Sequence, residues 1–260
     1  MTFAPEWLAL RETADARARS TELVDVFRGT RVNRTPLTIR DLGCGTGSMG
    51  RWLAGKLGGV QQHWVLHDRD PRLLGLARAS MNAVENVTAE TREGDLTALT
   101  AADLAGADLV TCSALLDLLT AAEVNALAAA CVGAHVPALF TLSVAGRVEF
   151  DPAEPLDAAF QDAFNAHQRR VVDGRALLGP DAPAAAQEAF AALGAAVRTA
   201  QSPWRTRGDA LQREWLRGWV AAAVEQEPAL APAASEYLRR RSEASAVVHH
   251  VDLLALPGAV

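Results

Sequence analysis

The stretch Asp41-Leu42-Gly43-Cys44-Gly45-Thr46-Gly47-Ser48-Met49-Gly50 decides how this chain is read. It follows a β-rich run, LTIRDLG (37–43), and opens a helical pattern, GSMGRWLAGKLGG, expected to end at Gly58–Gly59. Glycines at a strand-to-helix turn remove the Cβ atoms that would hold a ligand off the backbone, and they allow positive φ. The helix behind them adds unpaired N–H groups and a positive dipole end. Gly45-Thr46-Gly47-Ser48-Met49-Gly50 also spells GxGxxG, the dinucleotide fingerprint. Asp68 lies near the offset of about 20 residues at which that fingerprint places its acid. Asp41 weighs against this reading. A carboxylate directly before the loop would repel a pyrophosphate, whereas it suits a ligand bearing an ammonium or sulfonium.

Working outward, HWVLHD (63–68), VTAETREGD (87–95), ADLVTCSA (107–114) and PALFTLSVAG (137–146) each have strand composition. Between them lie helix starts: Asp70–Pro71, with proline in the first turn, Thr100 with Asp103, and a Thr120/Glu123 capping box. Strands alternating with helices imply right-handed crossovers and a parallel sheet. Residues 1–35 are expected to form two helices, the second capped by Ser20. After Gly146 the rhythm changes. Residues 147–182, including FNAHQRR and DGRALLGPDAP, are expected to be irregular and polar. A helix over 184–193, a sixth strand near 195–201, a helix capped by Asp209, a second helix over about 233–244 and a closing strand, SAVVHHVDLLAL, complete the pattern.

Acids stand at three consecutive strand ends: Asp41, Asp68 in LHDRDP, and Asp95 in EGDL. With DLGCGTG between the first two, residues 37–146 resemble the class I S-adenosylmethionine-dependent methyltransferases, of the small-molecule type. The resemblance implies an α/β fold: a Rossmann-like, doubly wound, mostly parallel seven-stranded sheet whose last strand is antiparallel, plus helical lid segments. It implies one methyltransferase domain over 1–260, with an N-terminal helical lid (1–35), a cofactor-binding half (36–146) and a substrate-side half (147–260) carrying a helical insert at about 204–245. It further implies that Gly43, Cys44, Gly45 and Gly47 wrap the amino-acid part of S-adenosylmethionine near Asp41. Asp68 would take both ribose hydroxyls, a charge-assisted bidentate pair. Asp95 would accept the adenine amino group, Leu96 would give its backbone N–H to the ring, and Arg69 would cover it. Ser113 would stand near the methionine moiety, and an arginine of the lid, Arg19, would hold the cofactor's carboxylate.

The acceptor side is read more coarsely. His167, with Gln168, Arg169 and Arg170, is either a base with anion-holding neighbours or a polar helix surface. Asp117, just past the fourth strand, is the second candidate catalytic group. One of each pair His63/His67 and His249/His250 is expected to pack inward, and Trp204, Trp215 and Trp219 to be core between helices. Arg239-Arg240-Arg241 is expected to be a solvated helix face.

Composition sets the boundaries. The chain has 260 residues, half of them hydrophobic, and a net charge of −6, which disfavours a nucleic-acid groove. No apolar window reaches the ~18 residues of a spanning helix, and the N-terminus lacks signal-peptide features, so a cytoplasmic protein with no membrane partner is expected; the abundance of alanine and arginine, with Lys56 the only lysine, suggests a bacterial source. Without secretion, the NxT matches at Asn33 and Asn86 carry no weight. Cys44, Cys112 and Cys131 lack ligand spacing, so no metal is expected. The expected partner is a small-molecule acceptor, methylated on O or N, with the protein a monomer or homodimer. Two rivals stand beside this: an NAD(P)-dependent oxidoreductase, and a non-catalytic S-adenosylmethionine-binding regulatory protein.

Overall fold

The structure, a computed structural model, describes residues 4–30 and 36–258; Asn33 lies outside them. Two helices lead, α1 (Pro5–Ala18) and α2 (Thr21–Gly29), the second capped by the Ser20 hydroxyl accepting from the Leu23 N–H at 3.3 Å. The alternating half follows: β1 (Leu37–Leu42), α3 (Ser48–Ala54), β2 (Gln62–Asp68), α4 (Pro71–Met81), β3 (Val87–Glu93), α5 (Ala101–Leu104), β4 (Leu109–Ser113), α6 (Ala121–Gly133) and β5 (Ala138–Asp151). The second half contains α7 (Leu156–Gln168), the short strands β6 (Val171–Val172) and β7 (Arg175–Ala176), α8 (Ala182–Ala192), β8 (Ala196–Gln201), β9 (Trp204–Arg207), α9 (Ala210–Gln226), α10 (Ala231–Arg241) and β10 (Ser245–Leu256).

The main sheet runs β3-β2-β1-β4-β5-β10-β8, with β9 also paired to β10. The pairs among β1 to β5 are parallel, and β10 is antiparallel to β5, β8 and β9. This is the expected mostly parallel, doubly wound α/β sheet with an antiparallel last strand. An eighth, short strand is added because the sixth breaks at Ser202–Pro203 and resumes as β9. The β1 strand order reverses between β2 and β4, and such switch points open a crevice at the carboxyl ends of the strands. The core fills both faces. Ile39, Leu53, Trp64, Leu66 and Met81 pack one side, and Leu42, Val110, Phe140 and Phe190 the other, all nearly inaccessible.

Capping chemistry holds as read from the sequence. Thr120 and Glu123 exchange side-chain-to-backbone bonds at 3.2 and 2.8 Å, and Asp209 accepts from the Gln212 N–H at 2.7 Å. The helix after the glycine loop is shorter than expected and stops at Ala54, since Gly55 follows. Two expectations are corrected. Residues 147–182 are ordered rather than irregular: β5 runs on to Asp151, α7 takes up FNAHQ, and β6 and β7 pair as a hairpin. The helical insert has a core of its own. Phe160, Trp219 and Tyr237 of α7, α9 and α10 stack on one another, Phe160 and Tyr237 being 4.1 Å apart and 9° from parallel, and Phe150 of β5 meets Trp219 and Tyr237 edge-on. And the Arg239–Arg241 run is only partly a solvated face. Arg241 is buried, bonds the Pro152 carbonyl and pairs with Glu154, while Arg240 pairs with Glu154 at 2.9 Å.

Candidate functional site

At the end of β1 the chain makes three left-handed turns: Gly43 (φ 64°), Gly45 (φ 55°) and Gly47 (φ 86°), the last being the N-cap of α3. A Cβ on Gly45 would sit 3.2 Å from Leu8 Cδ1 of α1, so this glycine also lets the first helix come down over the loop. The Gly45 N–H donates to Asp68 Oδ2 at 2.9 Å and the Asp70 N–H to Asp68 Oδ1 at 3.0 Å. Asp68 is thereby fixed across the ends of β1 and β2, with lone pairs left over on both oxygens.

A cleft of about 540 Å³ opens here, lined by Gly43, Gly45, Asp68, Asp95, Ser113 and Arg19 among others. It lies within the size range of small-molecule sites. Cys44, Arg69 and Leu96 are on its wall as well. The structure therefore brings together nine of the residues singled out in the sequence. Asp95 caps the turn Leu96–Ala98, accepting from the Thr97 N–H at 2.9 Å and the Thr97 hydroxyl at 2.8 Å, and these bonds hold its carboxyl below the usual range.

Asp41, Gly47, Asp117 and His167 are not on the wall. Asp41 is fully buried behind the loop. Its Oδ1 accepts from the Thr111 hydroxyl at 2.7 Å, its Oδ2 has no hydrogen-bond partner among the described residues, and burial pushes its pKa up to about 7. Asp117 is half-buried in the turn Leu116–Leu118. Burial raises its pKa, and Leu115 and Leu118 face the cleft in its place. His167 ends α7, with Nε2 3.3 Å from Glu225 and Nδ1 3.1 Å from Arg170. It belongs to the α7–α9 packing, and the base role read from its sequence neighbourhood finds no support in this placement. Of the other histidines, His250 packs inward and burial lowers it to about 3. Trp204, Trp215 and Trp219 are packing residues, as expected.

Helix α1 explains how Arg19 arrives. Its residues Leu8, Arg11, Asp15 and Arg19, spaced three and four apart, line the cleft, and Trp7, Leu10, Ala14 and Ala18 pack on Trp204 and Val248. Arg19 is buried, with Nη2 3.1 Å from the Ser113 hydroxyl and both terminal nitrogens 3.4 Å from Ser48. Burial lowers its pKa; Asp15, Asp41 and Asp252 pull it back up. The helix is seated at three points. Arg51 of α3 forks onto Glu12 at 2.9 and 2.6 Å while holding the Thr46 carbonyl of the glycine loop. Asp15 takes the Trp204 indole N–H at 3.0 Å and Arg11 at 2.9 Å. Asp252 of β10, fully buried, accepts from the Ser20 N–H at 2.7 Å and the Leu142 N–H at 2.8 Å.

The cleft is also lined by Val172, Asp173, Arg175 and Leu177, with Arg175 close enough to Asp95 to act on its carboxyl. The sequence reading missed this wall, although a signal was present. Asp173–Gly174 between VV and RA is the two-residue hairpin signature, and both residues have positive φ, 52° and 76°.

Residues 39–137 match a family model described as a methyltransferase domain. No curated protein matches the chain. Among solved structures, a methyltransferase candidate from Bacillus halodurans aligns with a TM-score of 0.53 at 14% identity, over 92% of this chain and 100% of that one. The YcgJ protein of Bacillus subtilis aligns with a TM-score of 0.51 at 12% identity, over 93% and 100%. Human N-acetylserotonin methyltransferase, solved with S-adenosylmethionine, aligns with a TM-score of 0.51 at 13% identity, over 98% of this chain and 54% of the human one. At such identities these likenesses show the fold. The matched segment, residues 39–137, carries the glycine loop and the four strand ends around the cleft, so the part of the chain that resembles a methyltransferase domain is the part that builds this site.

Proposed function

We propose that this protein transfers a methyl group from S-adenosylmethionine to an O or N atom of a small metabolite. The observation that carries the reading is the convergence on one cleft of the left-handed glycine loop, Asp68 and Asp95 at successive strand ends, and the buried Arg19 at the end of β4. These residues fit the cofactor in chemical kind and in order along the cleft. Asp68, already fixed by two backbone N–H groups, offers its remaining lone pairs to a vicinal diol. Asp95 stays ionised and accepts an adenine amino group, with the Leu96 N–H beside it and Arg69 over the ring. Arg19, with Ser113 and Ser48, holds the carboxylate, while Asp41 acts through the loop as a buried negative centre toward the ammonium.

Bound S-adenosylmethionine supplies a sulfonium methyl that a nucleophile takes by direct displacement. The chain's part is to orient and to exclude water, tasks met by rigid backbone at Gly43–Gly47 and by α1 closing on Gly45. The acceptor enters between α1 and Ser113–Leu115. No side chain on the cleft wall need act as a base unless the acceptor must lose a proton there. In this reading the chain works as one domain: 1–35 as cover, 36–146 as cofactor half, 147–260 as acceptor side. It acts in the cytoplasm on a small molecule, as a monomer or homodimer, without nucleic acid.

Calorimetric titration tests this. S-adenosylhomocysteine should bind, and NADH should not. Binding of NADH with no response to S-adenosylhomocysteine returns the site to the dinucleotide reading. Binding of S-adenosylhomocysteine without methyl incorporation into any acceptor of a broad metabolite panel favours a regulatory role.

A further inference from the structure

The hairpin of β6 and β7 belongs to no part of the alternating sheet, yet it borders the cleft. Its strands pair Val171 with Ala176 and Val172 with Arg175. Side chains alternate across such a ribbon, so Val172 and Arg175 share one face and Val171 and Ala176 the other. The burial follows this: Val171 is 67% exposed and Ala176 is exposed, while Val172 and Arg175 are half-buried and line the cleft. The ribbon is anchored from that inner face. Arg175 forks onto Glu123, Nε to Oε1 at 2.9 Å and Nη2 to Oε2 at 2.7 Å, and also donates to the Leu118 carbonyl at 3.1 Å. Glu123 is itself fixed by the Thr120 N–H at the start of α6, and the Leu178 N–H donates to the Leu119 carbonyl at 2.9 Å. Arg175 also lies near enough to Asp95 to help keep that carboxyl ionised.

We propose that this hairpin is the outer wall of the adenine end of the cleft, with Val172 limiting what the adenine's amino edge can carry and Arg175 the positioning residue that holds the wall in place. The inference rests on the cofactor reading above. It assigns a selectivity to a segment outside the sheet. A wall pinned at one bidentate arginine stays put, and an added group on the adenine amino nitrogen must displace it. A small residue at position 172, or a released hairpin, makes room.

Calorimetry on the full chain with S-adenosylhomocysteine and its N6-benzyl derivative tests this. The unmodified protein should prefer S-adenosylhomocysteine by about 100-fold, the range expected when a packed site is overfilled. Val172→Ala and Arg175→Ala should each narrow that preference at least about fivefold. A preference of the same size in both variants, with the two ligands weakened alike or not at all, overturns the proposal, as does an unmodified protein that binds both ligands equally. If Arg175→Ala does not fold, Val172→Ala alone decides. Failure of the unmodified protein to bind S-adenosylhomocysteine at all refutes the cofactor reading instead.

Discussion

Replacing Asp41 by asparagine should stabilise the ligand-free protein, and the gain should grow with pH. The carboxyl is fully buried, satisfied on Oδ1 by Thr111 and, among the described residues, without a hydrogen-bond partner on Oδ2, and burial carries its pKa to about 7. The sign follows from linkage. In the unfolded chain the group ionises near pH 4; in the folded chain it holds its proton until about pH 7. Below pH 4 both states are protonated and the group is neutral to stability. As pH rises from 4 to 7 only the unfolded chain gives up its proton, so folding stability falls, and above 7 the loss is complete. The shift of roughly three units corresponds to about 4 kcal/mol at most, of which about 3 kcal/mol develops between pH 5 and pH 8. Asparagine keeps an oxygen for the Thr111 hydroxyl and carries no charge to bury. Urea unfolding of both proteins at pH 5 and pH 8, without ligand, should therefore show an advantage for Asp41→Asn that is larger at pH 8 by up to this amount. Equal effects at the two pH values would refute the burial argument. The same variant should bind S-adenosylhomocysteine about tenfold more weakly at pH 8, because its ammonium then lacks the buried opposite charge.

Three further substitutions separate the parts of the cleft. Arg19→Gln should weaken S-adenosylhomocysteine by about 10- to 100-fold, and 5′-methylthioadenosine, which has no carboxylate, far less; equal losses in calorimetry would take the carboxylate role away from Arg19. Asp68→Asn should cost about 100-fold in S-adenosylhomocysteine affinity, since two charge-assisted bonds to the ribose become neutral or mismatched, and a change under threefold would count against the diol assignment. Asp252→Ala leaves the Ser20 and Leu142 N–H groups buried without an acceptor and should destabilise the chain by about 2–5 kcal/mol in urea unfolding. A shift below about 0.5 kcal/mol would mean that α1 and α2 are seated by other contacts.

What was legible in the sequence is what local chemistry dictates. Gly43, Gly45 and Gly47 announce a turn that only glycine makes cheaply, and all three have positive φ. Asp68, Asp95 and Ser113 follow strands recognisable by composition, so their meeting at one rim follows from parallel crossovers. The acceptor side depended on tertiary contacts that no window of sequence displays. His167 looked chemically equipped, but its ring is taken up by Glu225 from a helix some sixty positions further on. Arg241 looked like one of three surface arginines, yet it is buried against Pro152 and Glu154. Leu8 and Arg11 reach the cleft only because α1 folds back across the sheet. The hairpin is a different kind of omission: Asp173–Gly174 was visible, and the polar run around it obscured the turn.

The place of β10 bears on how the molecule is made. It is the last strand along the chain, yet it lies inside the sheet between β5 and β8 and supplies Asp252 to the start of α2. During synthesis the first helices leave the ribosome more than two hundred residues before the carboxylate that seats them. The strands β1 to β5, the glycine loop and the Arg51–Glu12 seat of α1 all precede it in sequence, whereas the Ser20 N–H at the start of α2 has its acceptor only in β10. The cover over the cleft is thus tied to both ends of the sequence: its seat on α3 is local to the first half, and its seats on Trp204 and Asp252 come from the second.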